Sequence, residues 1–329
     1  MAAIDVSKLG PSSYGMMRLT WNPTPPTQEQ AFETLNAAIK NGYRLWNGGE
    51  IYGTPERNSL HLLREYFTKY PENASKVTIN IKGGCKKGDL MPDGSRANVR
   101  RSVEDSLAAL GGTHKIDIFE CARVDPNTPI EETITALSEL VSEGKIGAIA
   151  LSEVRASTIR RAHKIHPIAT VEAELSLWAT DIIHNGVAST CAELGIPITA
   201  YSPICRGALA AKLSPTSFSE HDFRRSLPKF QPDTIEANNK LTDEVMKLAS
   251  KKNCTPAQIA ISWVRTLSGR NGLPVIIPIP GASSPERVEE NAKQVELTEE
   301  DMKEIEEVLE RIKIVGERYG GHSAAIIEG

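Results

Sequence analysis

The chain has 329 residues, 40% hydrophobic and 24% charged, enough to bury a sizeable core in one large domain or two ordinary ones. Its formal net charge of −4, with a pI near 6.0 and no basic block, argues against nucleic acid as a partner. The opening MAAIDVSKLG has no charged-then-apolar pattern, and no apolar run approaches membrane-spanning length, so a cytoplasmic protein without a membrane partner is expected.

In chain order, a first strand is predicted at 8–14, then a helix at 28–41 whose start is marked by Thr27. A strand at 43–46 leads through WNGGEIYG to Asn58, which signals a helix at 59–70. Strands at 77–83, 116–121, 148–151 and 169–174 then alternate with amphipathic helices at 98–110, 130–142, 156–166 and 182–194. A seventh strand at 198–201 is followed by a long, polar, proline-rich loop at 202–236. The eighth, at 275–280, runs into a helix opened by Ser284 and Pro285, with an extra charged helix at 297–313. The tail, 318–329, ends glycine-rich and apolar and could fold over a pocket or fray. The 5 cysteines are scattered without a CxxC pair, so neither a disulfide framework nor a metal site is expected.

Eight strands alternating with helices fit a (β/α)8 TIM barrel better than an open sheet. No composition break divides the chain, so residues 1–329 are expected to form one domain. A barrel keeps its chemistry at the carboxyl ends of its strands. Those ends hold Tyr52 after strand two and Lys82 on strand three. A phenol titrates near ~10, and a neighbouring ammonium pulls that value towards neutrality, which makes a proton donor for a carbonyl. A surface tyrosine and a lysine snorkelling at the rim would read the same way. After strand eight, glycine and serines lead into a helix whose positive end can bind phosphate, with Arg287 adding a charge; an ordinary capped helix has the same pattern.

Across nearly its whole length the chain resembles the aldo-keto reductase family. The resemblance is carried by NGGEIYG, the IKGG lysine segment, IDIFECARVDPNTPIEE, GKIGAIALSEV, YSPICRG, TPAQIAISWV and IPIPGASSPERVEEN. The wording around ECARVDPNTPIEE and WNGGEIYG is most similar to the fungal pyridoxal reductases. The resemblance implies NADPH as cofactor, with no Rossmann domain. It makes Tyr52 the proton donor, Lys82 its tuning lysine and Tyr201 the ring that stacks on nicotinamide. Ser152 and Glu153 stand at the carboxamide-binding pair, where the second residue is usually asparagine, and Glu172 stands where glutamine is common. An ionised carboxylate donates no hydrogen bond, so carboxamide recognition here must differ. Ser202, Arg206 and Gly207 fall in the pyrophosphate loop. Gly281, Ser283, Ser284 and Arg287 fall at the 2′-phosphate end, and Glu290 and Asn291 at the adenine end.

Two departures bear on the chemistry. The family usually carries aspartate at Asn47 and histidine at Ala122. Asn47 can accept a hydrogen bond from Lys82 but supplies no counter-charge, so a less neutralised Lys82 is expected to favour the phenolate. His114 precedes strand four, hence at the wrong end to replace the histidine. The small Ala122 frees volume for a ring with a substituent beside its carbonyl. Trp21, Ala122 and Arg123 are expected to line the substrate pocket, with Trp46 and Trp178 as further candidate walls. Cys121 and Cys205, near strand ends, read as inert. The expected activity is NADPH-dependent reduction of a small aldehyde, pyridoxal above all. The alternatives are a broad aldehyde or ketone reductase, or a catalytically weak NADPH-binding sensor or auxiliary subunit.

Overall fold

A computed structural model describes residues 5–321. Eight strands follow one another in parallel: β1 (Tyr14–Gly15), β2 (Leu45–Gly49), β3 (Thr78–Gly83), β4 (Ile116–Cys121), β5 (Ile146–Ser152), β6 (Ile168–Glu174), β7 (Ile198–Tyr201) and β8 (Ile276–Pro278). Gly15 bridges Gly281, and the Ser13 and Gly15 amides donate to the Pro278 and Pro280 carbonyls at 2.9 and 3.2 Å, which joins the last strand to the first. The fold is the expected (β/α)8 barrel.

Besides the single turns Met17–Thr20 and Asp181–His184, the helices are α1 (Gln28–Lys40), α2 (Ser59–Lys69), α3 (Arg96–Leu110), α4 (Ile130–Ser142), α5 (Ala156–Ile165), α6 (Val187–Leu194), α7 (Pro232–Lys251), α8 (Pro256–Thr266), α9 (Pro285–Ala292) and α10 (Glu299–Arg311). The three start signals act as caps: Thr27 accepts from the Gln30 amide, Asn58 from Leu60 and His61, and Ser284 from Arg287. The segment predicted as a helix at 182–194 breaks at Gly186, whose φ of 91° leaves the helical region. The predicted first strand shrinks to Tyr14–Gly15: Lys8 ends a 3-10 turn begun at Val6, and 9–13 have no regular structure. The long loop after β7 is there, shaped by short 3-10 turns and ending at Pro232, where α7 begins; α7 and α8 both precede β8. No helix among the described residues is long and apolar enough to cross a membrane. Of the predicted tail only 318–321 lies among the described residues.

The period of two along each strand sorts side chains into layers. Leu45, Ile118, Ala148, Ala150 and Ile277 pack with Val6 into an apolar cluster of their own. Two residues further along the same faces stand Asn47 on β2 and Glu120 on β4; Lys82 and Glu172 join that polar layer from β3 and β6. The opposite faces pack under the helices, as where Trp46 stacks on Phe67 at 6.2 Å. An apolar floor thus lies beneath a buried polar layer near the carboxyl ends of the strands.

Candidate active site

Tyr52 sits in a tight turn built by its neighbours. β2 runs to Gly49, three residues beyond the predicted end, and Gly49 pairs with Lys82 across the β2–β3 ladder. A Cβ on Gly49 would lie 3.1 Å from the Lys82 carbonyl oxygen and 3.3 Å from Tyr52 Cγ, so glycine lets both residues close in. The Glu50 amide donates to the Lys82 carbonyl at 2.9 Å. The Tyr52 carbonyl accepts from Thr20 Oγ1 at 2.6 Å and from the Ser59 amide at 3.1 Å. Gly53, at φ 131°, then turns the chain into a two-rung hairpin, Gly53–Thr54 with Arg57–Asn58. The tyrosine is buried, and Lys82 Nζ lies 5.9 Å from its ring centre.

The surroundings of Lys82 overturn one expectation. Its Nζ pairs with Glu120 Oε1 and Glu172 Oε1, each at 2.7 Å, and all three side chains are buried. Asn47 does not accept from the lysine. Its Nδ2 donates to Glu172 Oε2 at 2.6 Å and to Glu120 Oε1 at 3.4 Å, and Asn80 Nδ2 donates to the same Glu120 oxygen at 3.2 Å. The counter-charge absent from β2 is supplied from β4 and β6. Burial works against the charge on Lys82, but the two carboxylates outweigh it and hold its pKa well above the ordinary value. Burial, then the charge of Glu172, pushes Glu120 up to about 8. The phenol is also not drawn towards neutrality: burial raises Tyr52 to about 12, with Lys82 pulling down and Glu172 and Glu120 pushing up. The phenol is thus held above its ordinary value, opposite to the expected shift towards the phenolate, and Glu172, with both oxygens engaged, does not stand ready for a carboxamide.

Glu153 is corrected in the same way. It lies at φ 52°, and its carboxylate accepts from the Glu174 amide at 3.0 Å and from Arg318 at 2.7 and 3.1 Å. Burial opposes its charge, yet the Arg318 contact holds it below the ordinary carboxylate range. Arg318 also reaches Glu174 at 3.5 Å, and Arg206 reaches Glu174 at 3.4 Å and the Tyr319 hydroxyl at 2.8 Å. That hydroxyl lies 3.1 Å from the Tyr201 hydroxyl. The described end of the chain therefore straps across β5, β6 and β7 at their carboxyl ends. Ser152 Oγ, beside this strap, is buried without a hydrogen-bond partner.

The remaining candidates divide. Just after β7, Ser202 (φ 53°) is left-handed by itself, and Cys205, Arg206 and Gly207 (φ 45°, 53° and 98°) follow as a second left-handed turn. Gly281 lies on the barrel seam; Ser283 and Ser284 precede α9, where Arg287 pairs with Glu290 at 2.5 Å. Asn291 is buried, its carbonyl accepting from Arg265 at 3.2 Å. Trp21 is 42% exposed, with its ring 5.9 Å from Tyr52, so it does wall the tyrosine. Trp46 and Trp178 do not: the first packs among Tyr14, Tyr66 and Phe67, the second against Phe230. Ala122 is buried, and Arg123 beside it donates to the Ala122 carbonyl at 2.6 Å, 5.9 Å from the Tyr319 ring. His114 stacks on Phe67 at the far end of the barrel, as expected. Burial raises the thiols of Cys121 and Cys205, the latter to about 12, which leaves both unreactive.

Residues 13–310 match the model of the aldo/keto reductase family. The chain belongs to that family. As an aldo/keto reductase it is an oxidoreductase of small carbonyl compounds. It is 40% identical over 327 residues to "Probable pyridoxal reductase 2" of Schizosaccharomyces pombe, covering 97% of each chain. A Saccharomyces cerevisiae relative whose name also contains pyridoxal reductase is 39% identical, over 94% of this chain and 95% of that one. Among solved structures, a glycerol dehydrogenase from Gluconobacter oxydans superposes with a TM-score of 0.82 at 25% identity, over 98% of each chain. The reductase's ion triad and strap draw on Glu120 and Glu174, which no sequence motif singled out, and on Arg318 and Tyr319, the start of the tail expected to fold over a pocket or fray. The one signal for Glu120 is a charged residue on the inward face of β4, two residues after Ile118.

Arg318→Ala is expected to lower stability at pH 7 by about 3–5 kcal/mol, because it leaves the buried Glu153 carboxylate without its ion partner, while Glu174 keeps Arg206. Glu153 titrates lower when folded, so its contribution is present above the unfolded glutamate value near ~4.3 and is lost as pH falls through the depressed value. Denaturant unfolding of both proteins between neutral and acid pH checks this: the gap should narrow on acidification.

Proposed function

We propose that this aldo/keto reductase reduces an aldehyde with NADPH, and that pyridoxal, converted to pyridoxine, is its substrate. The observation that carries the reading is Tyr52, a buried phenol beside a lysine held as ammonium by two carboxylates. NADPH, when bound, supplies the hydride. Several features of the chain fit such a group. The partnerless Ser152 hydroxyl offers a hydrogen bond to a carboxamide. Tyr201 offers a ring, and Ser202, Arg206 and Gly207 offer a polar turn to a pyrophosphate. Ser283, Ser284 and the exposed Arg287 at the start of α9 suit a 2′-phosphate. Gly281, Glu290 and Asn291 stand around them.

Tyr52, protonated at neutral pH, gives its proton to the substrate oxygen as the carbonyl carbon is reduced. The phenolate left behind faces the Lys82 ammonium, which stabilises it. Trp21 presents a flat apolar wall beside Tyr52. Ala122, too small to touch the substrate oxygen as a histidine would, leaves room for a ring substituent next to the aldehyde. Pyridoxal carries a hydroxyl at that place, and its hydrogen bond to the carbonyl does part of the missing donor's work. The names of the two fungal relatives point to the same substrate.

Tyr52→Phe keeps the ring and removes the acid. Pyridoxal reduction, followed as NADPH oxidation, is expected to fall by about 10²–10⁴-fold while NADPH binding persists. Unchanged turnover would mean that Tyr52 is not the donor. Arg287→Ala is expected to weaken NADPH binding by about 1–3 kcal/mol and NADH binding far less. Equal losses, measured by fluorescence titration, would rule out a contact with the 2′-phosphate.

A further inference from the structure

We propose that Glu172 and Glu120 are the positioning residues of the proton donor, carrying from β6 and β4 the counter-charge that fixes Lys82 beside Tyr52, and that Asn47 serves them as an amide donor. The inference rests on the reading of Tyr52 as the acid.

A buried ammonium needs a partner, because its desolvation is costly and an unpaired charge is not tolerated. Lys82 has two, on strands that flank the interior from different sides, each at 2.7 Å. Three donors, Lys82, Asn47 and Asn80, converge on Glu120 Oε1, while Glu172 takes Lys82 on one oxygen and Asn47 on the other. Two carboxyls around one ammonium leave an excess negative charge unless one holds a proton. Glu120 can contribute to such a proton site: its Oε2 is buried without a hydrogen-bond partner, and burial, then the charge of Glu172, raises its pKa to about 8. With one proton shared between the two carboxyls the triad is electrically balanced, a single negative charge on the pair facing the Lys82 ammonium. Without that proton both carboxylates are charged and oppose ionisation of Tyr52.

The Asn47–Glu172 hydrogen bond gives the inference its test. Amide and carboxylate are nearly the same size, so exchanging them across this 2.6 Å bond keeps the contact and the total charge. Glu172→Gln removes one charge. Asn47→Asp combined with Glu172→Gln returns it on the other strand.

The readout is the ionisation of Tyr52, followed by NMR on the full chain labelled with 13C at tyrosine Cζ and assigned with Tyr52→Phe. The charged groups facing this phenol are Lys82 from β3, Glu120 from β4, Glu172 from β6 and Arg123 just after β4. In the unmodified protein the phenol should persist through about pH 11, since one charged neighbour more or less shifts a group by about a unit or more. Glu172→Gln should move the midpoint down by at least about one unit, a tenfold change, and the double variant should move it back. Pyridoxal turnover should follow: reduced about tenfold or more in Glu172→Gln and largely recovered in the double variant. An unmoved midpoint in Glu172→Gln, or a double variant that stays with the single one, overturns the proposal. Should Glu172→Gln fail to fold by circular dichroism, Glu120→Gln decides on the same titration, with a downward shift supporting the proposal and none overturning it. If the midpoints move as stated but the unmodified protein reduces no aldehyde, the catalytic reading falls and the triad stands; aldehyde reduction with immobile midpoints is the converse.

Discussion

A lysine buried in the throat of the barrel is the constraint on which the rest depends. Lys82 is about 4% exposed, in a layer just above an apolar floor. An isolated ammonium there would lose its proton or unfold its surroundings. Glu120 and Glu172 keep it charged, and they can do so because β3, β4 and β6 each turn alternate residues inward at the same height. Asn47 and Asn80 complete the layer as amide donors, so the loss of the family's aspartate removes an acid from one strand without removing it from the site.

The charge on Lys82 governs the acid beside it. Burial alone would make the Tyr52 phenol a very weak acid, and the lysine offsets part of that effect while the carboxylates restore some of it. The result is a phenol that remains protonated at neutral pH, next to a cation able to receive the phenolate. A phenol in this state suits the proposed reduction, in which a proton must be given, and the short hairpin and Gly49 hold it against the lysine. At the other side of the opening, the Glu153–Arg318 pair and the Tyr201–Tyr319–Arg206 cluster tie the described end of the chain to β5, β6 and β7.

Much of the frame was legible in the sequence because it depends on local chemistry. Thr27, Asn58 and Ser284 cap helices where their side chains promised, and the alternation of strands and helices fixes the barrel. Tyr52 and Lys82 were legible as neighbours because consecutive parallel strands lie side by side. The counter-ions were not, since Glu120 and Glu172 meet Lys82 only once the ring has closed across separations of 38 and 90 residues. Judging Asn47 by its own chemistry missed a charge that arrives from other strands. Glu153 misled for a similar reason: its partner, Arg318, lies 165 residues away in a tail with no periodic signal.

The central claim concerns where protons sit, and neutron diffraction of deuterium-exchanged crystals near neutral pH measures that directly. The account predicts three deuterons on Lys82 Nζ, one held between the Glu120 and Glu172 carboxyls, and one on the Tyr52 oxygen. A neutral Lys82, or a bare Tyr52 oxygen with both carboxyls unprotonated, would contradict it.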